Sequence, residues 1–595
     1  MRLLLSFVAL AICCVSGRVL DTGDDWWEYG HFYQIYPRSF KDGNGDGVGD
    51  LKGIIDNLAY LKTINVTGVW LSPIFKSPMK DFGYDISDFR DIDPIFGTIE
   101  DFERLTARAK ELNLKIILDF VPNHSSDLHE WFKASADPKH VDHEKYKDFY
   151  IWNSGKVLEN GTRVPPSNWL SIFRGSAWQW HETRQQYYLH QFLEEQPDLN
   201  YRNPDVVNEM KDVLRFWLRK GVSGFRCDTV PNLFEVDENE DGLYDDEEKS
   251  SECQDDPQAS CSLNHTKTQD LDETYDMIYQ WREVMDEEEF SSDTRILMTE
   301  AYTSLKNNLR YYGKVENGKI VRYGSQIPFN FDMITRTNKY TKAPEFKEHI
   351  VDWIEGMPPG KGIHANWVIG NHDQKRVGSR YSPTRIDLLN ILLKTLPGIT
   401  VTFYGEEIGM TDVMISWEDT QDPQACRTNP EIYHDHSRDP ARTPFQWDDS
   451  KNAGFSTADK TWLPMADNYT DCNIKFQESQ EISHLKVFRG LTALRQGQTL
   501  KYGELEINAV DEDVLAYKRA IKSNPTADII VVVLNLGDKK KTVDLNANLS
   551  GVPQKLKVAV ASIHSDSPVA GDTVDAGSVA VGGDVGLVLV GRNQF

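Results

Sequence analysis

TIEDFERLTARAKELNLKIILDFVPNH (98–124) carries the unit from which most of the chain is built. Thr98 precedes apolar residues at helical spacing with acids in the first turn, so 98–113 reads as a capped helix. KIILDFVPNH (115–124) follows at once as an apolar strand with a polar end. The same alternation recurs outward. HFYQIYPRSF (31–40) and VTGVWLSP (66–73) read as strands on either side of the helix LKGIIDNLAYLKTI (51–64). Beyond them, helix VVNEMKDVLRFWLRKG (206–221) leads to GFRCDT (224–229), helix 272–289, RILMTEAY (295–302) and GSQIPFNF (324–331). Helix 346–356, HANWVIGNHD (364–373), helix 385–396 and ITVTFYGEEIG (399–409) complete the series. Eight strands alternating with helices predict an α/β fold, a closed (β/α)8 TIM barrel.

The alternation lapses between 125 and 202, a stretch rich in Trp, Pro, His and Asn without helical periodicity. It is expected to form a small domain inserted after the third strand. After a helix near 484–495, DVLAYKRAI (513–521), ADIIVVVLNL (527–536), KLKVAVAS (555–562) and VGLVLVG (585–591) read as short strands without intervening helices. They predict a C-terminal antiparallel β-sandwich. The expected organisation is a signal at 1–17, barrel at 18–124, insert at 125–202, barrel at 203–497 and sandwich at 498–595.

The 595 residues carry a net charge of −27, with a pI near 5.0. That balance argues against a nucleic-acid backbone as partner. Arg2, an apolar run from Leu3 to Val15, then Ser16 and Gly17 read as a secretory signal. The run is too short for a membrane anchor, and VGLVLVGRNQF at the C-terminus lacks a lipid-anchor tail. A secreted, extracellular protein is expected. Cys13 and Cys14 fall in the signal, leaving Cys227, Cys253, Cys261, Cys426 and Cys472. An odd count leaves one unpaired. Cys227, inside an apolar strand, is the expected free thiol, with Cys253–Cys261 and Cys426–Cys472 as the simplest pairs. Sequons at Asn65, Asn160, Asn264, Asn468 and Asn548 predict N-glycans. Asn123-His-Ser is a sixth, but it adjoins candidate catalytic residues.

DFVPNH (119–124), GFRCDT, TEAY (299–302) and IGNHD (369–373) bring Asp119, Asp228, Glu300 and Asp373 to predicted strand ends. Such barrels gather those ends at one face. Alone, each acid reads as a helix cap, and Arg226–Asp228 as a buried ion pair; their concurrence points to chemistry. Retaining cleavage of a glycosidic bond needs one carboxylate nucleophile and one acid/base. Arg226, on the same strand face as Asp228, should favour its charged form. Glu300, partly buried among acids, suits the proton donor, and Asp373 beside His372 suits a charged, flattened ring. DGNGDGVGD (42–50) alternates oxygen donors with glycines, as a calcium loop requires. Gly53 stands where an EF-hand needs its last Glu. DENEDGLYDDEE (237–248) fits the EF-hand pattern up to Glu248, but without flanking helices it reads as a solvated acidic loop.

In order and wording the four segments resemble the conserved regions of glycoside hydrolase family 13, the α-amylase superfamily. QPDLNY (196–201) resembles a further marker of its oligo-1,6-glucosidase and insect-maltase branch, and whole-chain character is similar to secreted dipteran maltases. The resemblance implies that Asp228 is nucleophile, Glu300 acid/base and Asp373 transition-state stabiliser, with Asp119 structural. It implies that Asp85, His124, Arg226, His372 and Arg442 grip the terminal glucose, Asp85 and Arg442 making the enzyme exo-acting. It implies a structural Ca2+ on Asp42, Asn44, Asp46, the Val48 carbonyl and Asp50. Thr229, just after the nucleophile, goes in this family with α-1,4 bonds, hence with maltose, short malto-oligosaccharides and sucrose. A transglycosylase or sucrose isomerase would share every catalytic residue. A binding protein or toxin receptor on the same scaffold is the alternative of a different class.

Overall fold

Eight parallel strands wrap into one sheet in the computed structural model, which describes residues 24–524 and 526–592. The expected signal at 1–17 lies outside the described residues. The strands are β1 His31–Ile35, β2 Gly68–Leu71, β3 Lys115–Phe120, β4 Gly224–Cys227, β5 Ile296–Thr299, β6 Ile327–Pro328, β7 Asn366–Trp367 and β8 Ile399–Phe403. Their hydrogen-bonded order, β6-β5-β4-β3-β2-β1-β8-β7, follows the chain around a barrel. Between β6 and β7 a side chain spans the gap. Asn366 Nδ2 donates to the Pro328 carbonyl at 2.5 Å, and its Oδ1 accepts from the Asn330 amide at 2.9 Å. Pro328 has no N–H to offer a neighbouring strand. Proline also shortens the first predicted strand: β1 stops at Ile35 and Pro37–Phe40 forms a helical turn.

Residues 125–202 hold a three-stranded antiparallel sheet of Trp152–Asn153, Gln186–Leu189 and Trp178–His181. Helices Glu130–Ala136 and His143–Tyr146 also occur there, too short to display a period in sequence. Trp169, Trp178 and Leu189 pack with Tyr244 as a small core of their own.

The C-terminal strands form a six-stranded antiparallel sheet facing a two-stranded one, Lys541–Val543 with Val579–Val581. Strand Asp528–Asn535 is apolar on both faces because both are covered. Val531 and Val533 join the sandwich core, whereas Val532 and Leu534 pack with Leu388 and Leu392. Those leucines lie on helix Ile386–Thr395, which is buried all round between barrel and sandwich.

Cys253 and Cys261 form a disulfide, and Cys227 is free and buried, both as expected. The expected Cys426–Cys472 bridge does not form. Cys426 is exposed with its thiol directed at the Thr420 carbonyl, while the Cys472 thiol meets the Ile408 carbonyl. Pairing by elimination overlooks that the segments carrying them aim the thiols at different partners. Among the described residues no helix is long and apolar enough to cross a membrane.

Candidate active site

Register places the first charged cluster. Arg226 on β4 lies opposite Asp119 on β3, so strand alternation turns both inward. Arg226, 1% exposed, reaches Asp119 Oδ1 at 2.9 Å, Asp228 Oδ1 at 2.5 Å and Glu300 Oε2 at 3.2 Å. Its guanidinium lies 5.0 Å from the Trp70 ring centroid. Asp119 also accepts from Trp70 Nε1 at 3.1 Å and the Tyr84 hydroxyl at 3.2 Å. Burial pushes Asp119 up to about 6 against the pull of Arg226. Burial likewise raises Asp228 and Glu300; Arg226 opposes the rise, and neighbouring acids add to it. Arg226 was expected to hold Asp228 low; desolvation outweighs it. A hydrogen bond from Asp228 works against the rise at Glu300. Glu300 Oε2 accepts from the Thr229 amide at 2.7 Å and lies 3.2 Å from Arg226.

A second cluster holds Asp373. Its Oδ1 lies 3.2 Å from Arg438 and 3.1 Å from Arg442, and its Oδ2 lies 3.4 Å from His372 Nε2. Burial alone would raise Asp373, but His372 and the two arginines bring it below the ordinary carboxylate range. Arg438 also reaches Asp81 at 3.0 Å and Asp422 at 2.6 Å. The His372 ring stacks on Tyr84, with Nδ1 2.9 Å from Gln34 Nε2 and Nε2 2.5 Å from the Tyr84 hydroxyl. Burial pushes both His372 and His124 down, His124 to about 3, while the charge on Asp373 pulls His372 the other way. His124 Nε2 faces Gln196 at 3.1 Å, which ties it to the QPDLNY segment.

Both clusters meet a cavity of about 330 Å3 lined by Asp228, Glu300, Asp373, Asp81, His124, His372, Arg438 and Thr229, with Tyr84, Phe173, Phe192 and Tyr302 as aromatic walls. That volume suits a small polar ligand. Asp85 does not face it. Fully buried, Asp85 accepts from Ser77 Oγ and from the Lys80 and Asp81 amides, each at 2.9 Å. It pins the turn through Phe82 (φ 49°) and Gly83 (φ 106°), and Asp81 is the acid presented. Arg442 lies behind the cavity, donating to the His372 carbonyl at 2.7 Å, while Arg438 lines it. Asp81 and Arg438 were not anticipated, because both lie in loops away from the strand ends. Gly83 signals a tight turn but not which flanking aspartate the turn presents.

Residues 34–503 match the model for the α-amylase catalytic domain. The chain belongs to the α-amylase family. Maltase A1 of Drosophila melanogaster is 55% identical over 573 residues, covering 95% of this chain and 96% of the relative. Salivary alpha-glucosidase of Anopheles gambiae is 52% identical, covering 96% and 94%. The crystal structure of the alpha-glucosyl transfer enzyme XgtA superposes with a TM-score of 0.80 at 32% identity, covering 96% of this chain and 100% of that one. The protein is thus an α-amylase family glycoside hydrolase, and Asp228 and Glu300 are two carboxyls paired to one arginine at the edge of its cavity.

Thr229 follows the nucleophile candidate in the left-handed region (φ 41°, ψ 43°), at a cost of about 1–3 kcal/mol for a β-branched residue. Its hydroxyl donates to Asn232 Oδ1 at 3.0 Å. In the 42–50 loop, Asp42 accepts from the Asn44, Gly45 and Gly47 amides and from Ser456 Oγ, and Asp50 caps helix Leu51–Thr63. Asp42 and Asp50 are buried, and among the described residues neither they nor Asp46 forms a salt bridge. The donors are the hard oxygens calcium takes, but their carboxylates are turned to backbone amides, and among the described residues no three Asp, Glu, His or Cys side chains converge as a ready metal cluster. The 237–248 loop has no flanking helices and is tied down within the protein, Asp237 to Arg202 and Asp246 to the Asn168 amide.

Proposed function

We propose that the protein is a secreted, retaining, exo-acting α-glucosidase. It releases glucose from the non-reducing end of maltose, short α-1,4 malto-oligosaccharides and sucrose. The observation that carries the reading is Arg226 shared between Asp228 and Glu300, with the Asp81–Arg438 pair bounding the same cavity. Asp228 attacks the anomeric carbon while Glu300 gives its proton to the departing glycosidic oxygen, and a covalent glucosyl-enzyme forms. Glu300 then takes a proton from water, whose oxygen displaces Asp228 with net retention. Asp373, held charged, favours the oxocarbenium-like ring in both steps. Asp81 and Arg438 bind hydroxyls of the terminal sugar, which limits the enzyme to chain ends. NMR of p-nitrophenyl α-glucoside hydrolysis, where the leaving group is not a sugar, should show α-glucose as the first product; β-glucose first, or no hydrolysis of this glucoside or of maltose, would sink the reading. Product analysis on sucrose separates hydrolysis, the expected outcome, from transfer or isomerisation.

Export is supported by the relatives named as salivary. Asn160, Asn264 and Asn468 are exposed, and Asn65 and Asn548 half-buried, which leaves their sequons open to N-glycans. A mass shift on enzymatic deglycosylation tests that. Calcium bound by Asp42, Asn44, Asp46, the Val48 carbonyl and Asp50 would neutralise the loop and brace it against Ser456. Elemental analysis should find one calcium per chain, absent after Asp42→Ala; metal remaining in that variant would point to 237–248 instead.

A further inference from the structure

A chain of buried amides runs from the inserted segment to Glu300. Asp198, in QPDLNY, accepts from Gln191 Nε2 at 2.7 Å and from the Gln191 amide at 3.0 Å. The same Nε2 donates to the Asn232 carbonyl at 2.8 Å, and Gln191 Oε1 accepts from Asn232 Nδ2 at 2.8 Å. Asn232 in turn clasps Thr229, accepting its hydroxyl at Oδ1 and donating its own N–H to the Thr229 carbonyl at 3.1 Å. Gln191, Asp198 and Asn232 are each at most 4% exposed. A β-branched residue keeps a left-handed backbone only where its surroundings over-determine it. In that conformation the Thr229 amide reaches Glu300 Oε2.

We infer that Gln191 is a positioning residue for the acid/base: through Asn232 it holds the strained Thr229 turn whose N–H orients Glu300. This deepens the α-glucosidase reading and rests on it. The charged groups around Glu300 come from several strands: Arg226 and a hydrogen bond from Asp228 favour its charged form, while Asp119 and Asp373 oppose it, and the Tyr302 hydroxyl lies near. Losing the Thr229 N–H would raise the pH at which Glu300 gives up its proton.

The test is kcat against pH on p-nitrophenyl α-glucoside for wild type, Gln191→Leu, Thr229→Val and Thr229→Ser. Gln191→Leu and Thr229→Val should each move the alkaline limb up by about half a pH unit or more and lower kcat about tenfold, with KM within about twofold. Thr229→Ser, which keeps the hydroxyl, should hold the limb at its wild-type position. A limb unmoved in folded Gln191→Leu and Thr229→Val overturns the inference even if kcat falls, because loosened packing lowers kcat without moving the limb. If Gln191→Leu does not fold, the isosteric Thr229→Val decides alone. A wild type inactive on this glucoside would instead overturn the α-glucosidase reading, and the inference with it.

Discussion

The two arginine-centred clusters solve opposite problems. One arginine, Arg226, serves Asp119, Asp228 and Glu300; two, Arg438 and Arg442, serve a group that includes Asp81, Asp373 and Asp422. Burial opposes charge in both. With one cation for three acids, burial wins, and all three acids are raised. With two, Asp373 and Asp422 fall below the ordinary value despite burial, and only Asp81 stays raised. The ratio of cations to acids thus decides in which cluster burial lifts every acid and in which two acids stay below their ordinary range.

The sharpest way to break that division is to remove its two chemical partners. Asp228→Ala should lower kcat on maltose by about 10^4-fold or more, and Glu300→Gln by about 10^2- to 10^4-fold, with melting curves near wild type. Near-normal turnover in either would refute the assignment.

Next in size is Arg438→Met, which strands Asp81 and Asp422 in a buried site. Loss of about 3–5 kcal/mol is expected from denaturant unfolding at neutral pH. The sign follows from linkage. Asp373 and Asp422 sit lower in the folded protein than their ordinary 3.8. Their contribution is therefore full above that value and lost as pH falls through the lower, folded values. The gap between wild type and Arg438→Met should close in that acid range; a gap independent of pH would count against paired, charged acids.

Smaller still, Asp81→Asn should cost about tenfold to a hundredfold in kcat/KM, as loss of one charged hydrogen bond does. Asp85→Asn should act chiefly on stability, because its carboxylate serves the turn. Equal kinetic losses in both would erase the distinction drawn between them. Thiol labelling separates the clusters without touching activity. A maleimide should modify exposed Cys426, beside the second cluster, and leave buried Cys227, beside the first, unmodified in the folded protein. Labelling of Cys227 without unfolding would show that the first cluster is not sealed.

Most of the barrel was legible in sequence because each βα unit is local. The period change from ERLTARAKEL to KIILDF marks both a helix and a strand, and their alternation leaves few topologies. The same locality exposed Asp119, Asp228 and Glu300: an acid at or near the end of an apolar strand needs no distant information to be placed. Helix Glu130–Ala136 escaped notice because so short a helix leaves no period to read.

By itself, then, the sequence determined the eight strands, the sandwich and the strand-end acids, since periodicity and strand alternation are encoded within a few residues. Only the tertiary structure decided that Asp81 rather than Asp85 meets the cavity, that Arg438 lines it while Arg442 stands behind, and that Cys426 and Cys472 stay apart. Those outcomes depend on where loops distant in sequence come to rest, and desolvation, which raises Asp228 against Arg226, exists only once the chain has closed around it.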